Sequence, residues 1–157
     1  MKTFFKWLLV FLASITGAVL AHTQGFFDFV LKYDFSYISF VIFGCYFVMS
    51  VGNGLTSLTS RDPQIPTRYL NKVKKRLDVS NFVSESVVGL GLLGTVVGLI
   101  YMVFDSLGSE AASNIQKTIE SLKLGLATAL ITTGIGLICS LFLNIQSYII
   151  SYDLEKE

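Results

Sequence analysis

Glycines and threonines interrupt two apolar stretches in the second half of the chain, Leu90–Phe104 and Leu122–Leu143. The segments read GLLGTVVGL at Gly91–Leu99 and GLATALITTGIGL at Gly125–Leu137. A threonine hydroxyl does not ionise near neutral pH, but it can orient water or coordinate a cation. Bare glycine backbone lets helices approach closely. These residue types therefore predict an ion or water path, close helix packing, or both, and no enzyme activity, cofactor or metal site.

Helical spacing collects these residues into stripes, because side chains four residues apart share one slowly drifting face. The candidate ion-pathway residues are the hydroxyls Thr95, Thr133, Thr128 and Thr132. The candidate packing residues are Gly91, Gly94, Gly98, Gly125, Ala129 and Gly136. A membrane threonine can also bond its own i−4 carbonyl and need no other partner. Periodicity alone does not separate a tight packing seam from a water-filled pore.

Carboxylates are placed only near the ends of these stretches. Glu85 lies one turn into the third predicted helix of the chain, which contains Leu90–Phe104, and Asp105 lies at the far end of that helix, so each is a candidate mouth residue for an ion path. The favoured interpretation is the simpler one in each case: solvation at the membrane interface for Glu85 and a polar helix end for Asp105. With no carboxylate in the middle of any span, proton relay by titration requires an acidic group from another chain.

The composition indicates that the candidate glycines and threonines lie on membrane-spanning helices. The chain has 157 residues, of which 52% are hydrophobic and 15% charged. Four windows are almost free of charge: Phe4–Ala21, Phe35–Leu55, Phe82–Phe104 and Leu124–Ile150. Each is close to the ~20 residues that cross a bilayer as a helix. We predict an all-α membrane protein with four transmembrane helices.

Basic residues predict the orientation of these helices. Six of the twelve lie between the second and third windows, namely Arg61, Arg68, Lys72, Lys74, Lys75 and Arg76. By the positive-inside rule this segment and both termini are cytoplasmic. The segment is also expected to meet anionic lipid head groups. A net charge of +1 gives no indication of nucleic-acid binding.

The first window has two interpretations. The basic start, the apolar run and Val19-Leu20-Ala21 together fit a cleavable signal peptide. We favour a retained helix; cleavage would leave the orientation of the later spans unchanged.

Local signals predict where the helices begin and end. Gln24–Leu31 predicts a short interfacial helix or turn, and Gly52-Asn53-Gly54 predicts the end of the second helix or a swivel at its cytoplasmic end. Thr67 can cap a short basic helix in which Leu70, Val73 and Leu77 share one face.

The last two spans have their own start signals. Ser80 or Asn81 can cap the third span, and Ser113-x-x-Gln116 has the spacing of a capping box for the fourth. The absence of a breaker as far as Ile150 makes this last helix the longest predicted element, extending beyond both membrane faces.

The motif pair resembles the MotA/TolQ/ExbB proton-channel family over about Val88–Leu143. The Gly-Thr pair and the following Ala-Leu-x-x-Thr-x-x-Gly-Leu pattern carry the resemblance. It implies a homopentamer around a dimeric, single-span MotB/TolR/ExbD-like partner that supplies a transmembrane aspartate. It further implies an ion-driven motor in the bacterial inner membrane. By position, Thr95 and Thr133 match the family's paired pore threonines.

The chain also departs from the family pattern. Some relatives carry glutamate where this chain has Thr128, and proline near Phe142. The segment between the second and third spans is short, so the resemblance implies a stripped-down member without the large cytoplasmic domain of flagellar stators.

The resulting division has three parts: peripheral helices in 1–55, a basic cytoplasmic loop in 56–80, and pore-lining helices with the C-terminal tail in 81–157. Two alternatives from other classes stay open, a non-conducting membrane scaffold or assembly factor and a holin-like pore former.

Overall fold

A computed structural model describes residues 2–34, 36–59, 67–106 and 115–154, and these ranges contain helices only. The helices are α1 Lys2–Thr23, α2 Phe26–Tyr33, α3 Ile38–Thr59, α4 Thr67–Ser106 and α5 Ile115–Leu154. All but α2 are long and apolar enough to cross a membrane. The predicted all-helical architecture with four candidate spans is confirmed.

Helix α4 joins two segments that the sequence separates. It is one helix of 40 residues, so the predictions of a separate basic helix at 67 and of a cap at Ser80 or Asn81 are wrong. The Ser80 hydroxyl accepts hydrogen bonds from the side chains of Asn53 and Ser147 instead of capping a helix. The segment before it is held by packing, because Val73 and Leu77 are buried in a cluster with Ile150 of α5.

Helix α5 is also 40 residues long. It is therefore as long as α4, and the prediction that it is the longest element is wrong. Its predicted capping residue, Ser113, lies outside the described residues. The polar and small side chains along α5 do not interrupt it, as expected for an unbroken run without proline.

Helix α3 does not end at Gly52-Asn53-Gly54 but continues to Thr59, so that prediction is wrong. Gly54 has a packing role instead. The indole of Trp7 lies so close to Gly54 that a methyl group there would overlap the ring. Burial of Trp7 and the bond from the Asn53 amide to Ser80 therefore hold this turn in the bundle.

The short helix α2 confirms the helix predicted in 24–31, with bounds shifted to Phe26–Tyr33, and Asp34 connects it to α3. The backbone N–H of Asp34 closes α2 by donating to the Val30 carbonyl at 2.7 Å. Its carboxylate accepts from the Ser36 hydroxyl at 2.6 Å and from the Ser39 N–H in the first turn of α3 at 3.1 Å. One buried side chain thus supports the end of one helix and the beginning of the next.

The start of α1, the end of α3, the start of α4 and the end of α5 lie at one end of the bundle. Lys6 of α1 forms an ion pair with Asp153 of α5 at 2.9 Å. The Trp7–Gly54 contact and the Val73–Ile150 cluster join α3 and α4 to the same end. This end carries the basic residues, so the charge distribution predicts that it is cytoplasmic.

Candidate ion-pathway site between helices 4 and 5

The backbones of α4 and α5 approach each other closely at Gly98 and Gly125. A methyl group on Gly98 would lie 2.7 Å from the Gly125 carbonyl oxygen and 2.9 Å from the Ala129 nitrogen. A methyl group on Gly125 would lie 2.6 Å from the Gly98 carbonyl oxygen. These neighbours are backbone atoms, which have little freedom to move. Only glycine fits at either position.

The close approach continues towards the other end of both helices. A methyl group on Gly91 would lie 3.1 Å from the Thr132 carbonyl oxygen, and one on Gly136 would lie 3.2 Å from the Gly91 Cα. Between these contacts, the Thr132 side chain fills the space beside Gly94. The candidate packing residues therefore lie along a single seam between two helices of the same subunit.

Thr95 and Thr133 meet across this seam. Their hydroxyls form a hydrogen bond with each other. Both also lie within bonding distance of the Gly91 carbonyl oxygen, Thr133 at 3.1 Å and Thr95 at 3.2 Å. The Thr95 hydroxyl is 3.4 Å from the Ala129 carbonyl as well. Both side chains are partly exposed, so the pair reaches the surface of the subunit.

This arrangement determines what the pair can offer to a ligand. Each hydroxyl has one proton to donate and two lone pairs. The neighbouring carbonyls and the other hydroxyl provide acceptors for both protons within the subunit. The lone pairs that the mutual bond does not use are then available to water, to a cation, or to the O–H of a protonated acid. The pair is an acceptor site that carries no charge of its own.

The other two predicted pathway hydroxyls, Thr128 and Thr132, are fully buried. Thr128 donates to the Tyr33 carbonyl at the end of α2, and it also contacts the Leu124 carbonyl at 3.1 Å. Thr132 bonds only within α5, to the Thr128 carbonyl at 3.0 Å and the Ala129 carbonyl at 3.2 Å. The structure does not bring these hydroxyls together with Thr95 and Thr133 on one surface.

The two candidate mouth residues lie in different surroundings. Glu85 is exposed on α4. Asp105 is exposed at the last turn of α4 and accepts a hydrogen bond from the Ser121 hydroxyl of α5, so it also ties the two helices together. Within the described ranges, no three His, Cys, Asp or Glu side chains are grouped closely enough to hold a metal ion.

A buried polar cluster between α3, α4 and α5 was not predicted. The Ser50 hydroxyl donates to Gln146 at 3.0 Å, and the Ser84 hydroxyl lies 2.9 Å from that of Ser140. Ser80 joins Asn53 and Ser147 nearby. The sequence does contain a pattern that indicates this cluster, because polar residues at positions 50, 53 and 57 recur at helical spacing in an apolar span.

Fold and site together define a multi-span helical membrane protein in which two long helices pack through glycines and present a pair of hydroxyls. Comparison with protein families matches residues 65–157, all of α4 and α5 included, to the MotA/TolQ/ExbB proton channel family. The match covers more than half of the chain, which therefore belongs to this family. Family members work with MotB-, TolR- or ExbD-type partners in oligomeric complexes. Comparisons with curated proteins and with solved structures gave no match.

Proposed function

We propose that the chain is the channel subunit of an ion-driven motor in the bacterial inner membrane, with Thr95 and Thr133 in the ion path. The observation that carries the proposal is the hydroxyl pair. It bridges the two helices that the family match covers, it is partly exposed, and its internal acceptors take up both protons.

The motor model also assigns roles to partners. Five copies surround two helices of a single-span partner, and the partner's aspartate titrates beside the hydroxyl pair. A protonated aspartic acid can donate to a threonine lone pair, and an ionised one can hold a hydrated cation there. The membrane potential would supply about 2.3 kcal/mol per charge per 100 mV.

Isosteric substitutions test the ion path. Thr95→Val and Thr133→Val retain the side-chain shape but remove an acceptor, and we expect each to lower ion flux by about tenfold or more. Thr132→Val is the matched control, because its hydroxyl bonds only carbonyls of its own helix. Flux is measured in proteoliposomes that contain the chain and its co-purified partner, with a pH-sensitive dye under a proton gradient and with a sodium-sensitive dye under a sodium gradient.

The same assay separates the alternatives. Wild-type flux in all three valine variants would refute the hydroxyl path and favour a non-conducting scaffold. Flux from the chain without a partner would indicate a holin-like pore former. Native mass spectrometry of the purified complex is expected to give five copies with two partner chains; a stable monomer or dimer would contradict the assembly.

A further inference from the structure

A groove of about 480 Å³ opens between the end of α3 and the start of α4. Its lining combines two kinds of side chain. Met49, Leu55 and Val79 contribute apolar surface, and Lys72, Lys75 and Arg76 contribute positive charge. Gly52 also lines the groove, and open space surrounds the position where its side chain would begin.

No carboxylate among the described residues neutralises these three cations. All three are exposed, and within the described residues none forms an ion pair or a hydrogen bond with an acid. Asp78 lies on the same helix, but it does not line the groove. Three charges within five residues, with no acidic partner in the described part of the chain, favour a ligand with an anionic group.

The groove also lies at the depth of a membrane interface. The apolar stretch of α3 continues to Leu58, and the window of α4 that is almost free of charge begins at Phe82. The groove therefore lies beside the end of the first stretch and about one to three turns before the second. At this depth a lipid phosphate can reach the basic side chains while its acyl chain follows the apolar side of the groove. The Arg76 guanidinium can bind a phosphate through two parallel hydrogen bonds.

We propose that this groove binds one anionic phospholipid, with its phosphodiester at Lys72, Lys75 and Arg76 and an acyl chain along Met49 and Val79. This sharpens the expectation that basic residues meet anionic head groups, because it replaces a diffuse surface attraction with a shaped site. The proposal holds whether or not the subunit conducts ions, and the test below does not depend on flux.

Charge variants test the head-group half of the site. The detergent-solubilised protein is mixed with phosphatidylglycerol or with phosphatidylcholine of the same chains, and bound lipid is counted by native mass spectrometry. We expect phosphatidylglycerol to be preferred. Lys72→Gln, Lys75→Gln and Arg76→Gln should each weaken its binding about fivefold, the equivalent of about 1 kcal/mol per charge. Lys74→Gln is the control, since Lys74 is exposed on the same helix but does not line the groove.

Gly52→Leu tests the acyl-chain half. It fills the groove without changing any charge and without overlapping neighbouring atoms at its Cβ. We expect it to abolish retention of phosphatidylglycerol in a protein that keeps its oligomeric state, and we expect inorganic phosphate not to compete. Wild-type lipid retention in Gly52→Leu, a loss in Lys74→Gln as large as that in Lys75→Gln, or competition by inorganic phosphate would each overturn the shaped site.

Discussion

The Thr95 and Thr133 hydroxyls show that residue type alone does not determine whether a threonine is buried or exposed. All four candidate threonines lie in the same kind of apolar helix, and their spacing groups them by face. Spacing does not specify which neighbour covers a face. Thr128 is buried because α2 folds back and places the Tyr33 carbonyl against it. Thr133 bonds the Gly91 carbonyl of α4 and is partly exposed.

The glycines of α4 also differ in how closely neighbouring atoms approach them. A pair of alanine substitutions makes this difference measurable. Gly98→Ala places a methyl group 2.7 Å from a backbone oxygen of α5, so we expect destabilisation by about 1–3 kcal/mol. Gly89→Ala is the matched control, because nothing lies within 4 Å of its added methyl group. Thermal unfolding in detergent measures both. Equal transition temperatures for the two variants would contradict the close approach of the helices.

The buried cluster around Ser80 gives a second prediction for a single residue. Ser80→Ala removes the acceptor for both the Asn53 amide and the Ser147 hydroxyl, which leaves two buried donors unpaired. We expect a loss of about 1–3 kcal/mol in the free energy of unfolding. The control is Ser86→Ala, whose exposed hydroxyl bonds the Phe82 carbonyl of its own helix at 2.8 Å. If Ser86→Ala is as destabilising as Ser80→Ala, the cluster does not stabilise the bundle.

At the scale of whole elements, hydropathy predicted the four candidate spans, and the family motifs predicted which two helices form the seam. The boundaries failed where tertiary contacts override local signals. Ser80 is a good capping residue in isolation, but in the bundle its hydroxyl serves α3 and α5. Gly54 is a good helix terminator in isolation, but here it receives the Trp7 ring. Neither partner is visible from neighbouring sequence, because both come from distant segments.

The junction between α2 and α3 depends on Asp34, which is only 1% exposed. Asp34→Ala removes the acceptor for the Ser39 N–H, so we expect it to cost about 0.5–2 kcal/mol, as for other helix caps. Asp28→Ala is the control from the exposed face of α2. Amide exchange of residues 36–40, followed by mass spectrometry, is expected to accelerate only in Asp34→Ala. Unchanged exchange there would show that packing alone holds the start of α3.

At the scale of the whole molecule, one end of the bundle collects the basic residues with the start of α1 and the end of α5. Charge predicts that this end faces the cytoplasm, and contacts such as Lys6–Asp153 place its helix ends together. The orientation in the membrane and the number of copies depend on a bilayer and on other chains. The predicted orientation rests on the distribution of basic residues, whereas no periodicity within this chain encodes the number of copies, which rests on the family resemblance alone.

Cysteine labelling tests the orientation. In a background in which Cys45 and Cys139 are replaced by alanine, Lys74→Cys and Ser151→Cys place a thiol at the basic end, and Asp28→Cys places one on exposed α2. A membrane-impermeant maleimide is expected to label only Asp28→Cys in intact spheroplasts and only the other two in inverted vesicles. Labelling of Lys74→Cys and Ser151→Cys from opposite sides would contradict the bundle.

The unbroken course of α4 has a mechanical consequence. With a rise of 1.5 Å per residue, its 40 residues form a rod about 60 Å long, and Lys72 lies about 35 Å along the axis from Thr95. If α4 tilted by about 5° about Thr95, the helical turn at Lys72 would move sideways by roughly 3 Å, given this distance along the axis. If the helix were broken at Ser80, the segment before the break could change its angle independently, and most of this movement would not reach Lys72. Any tilt of α4 about Thr95 therefore displaces its basic end further than its other end, which lies only 11 residues beyond Thr95.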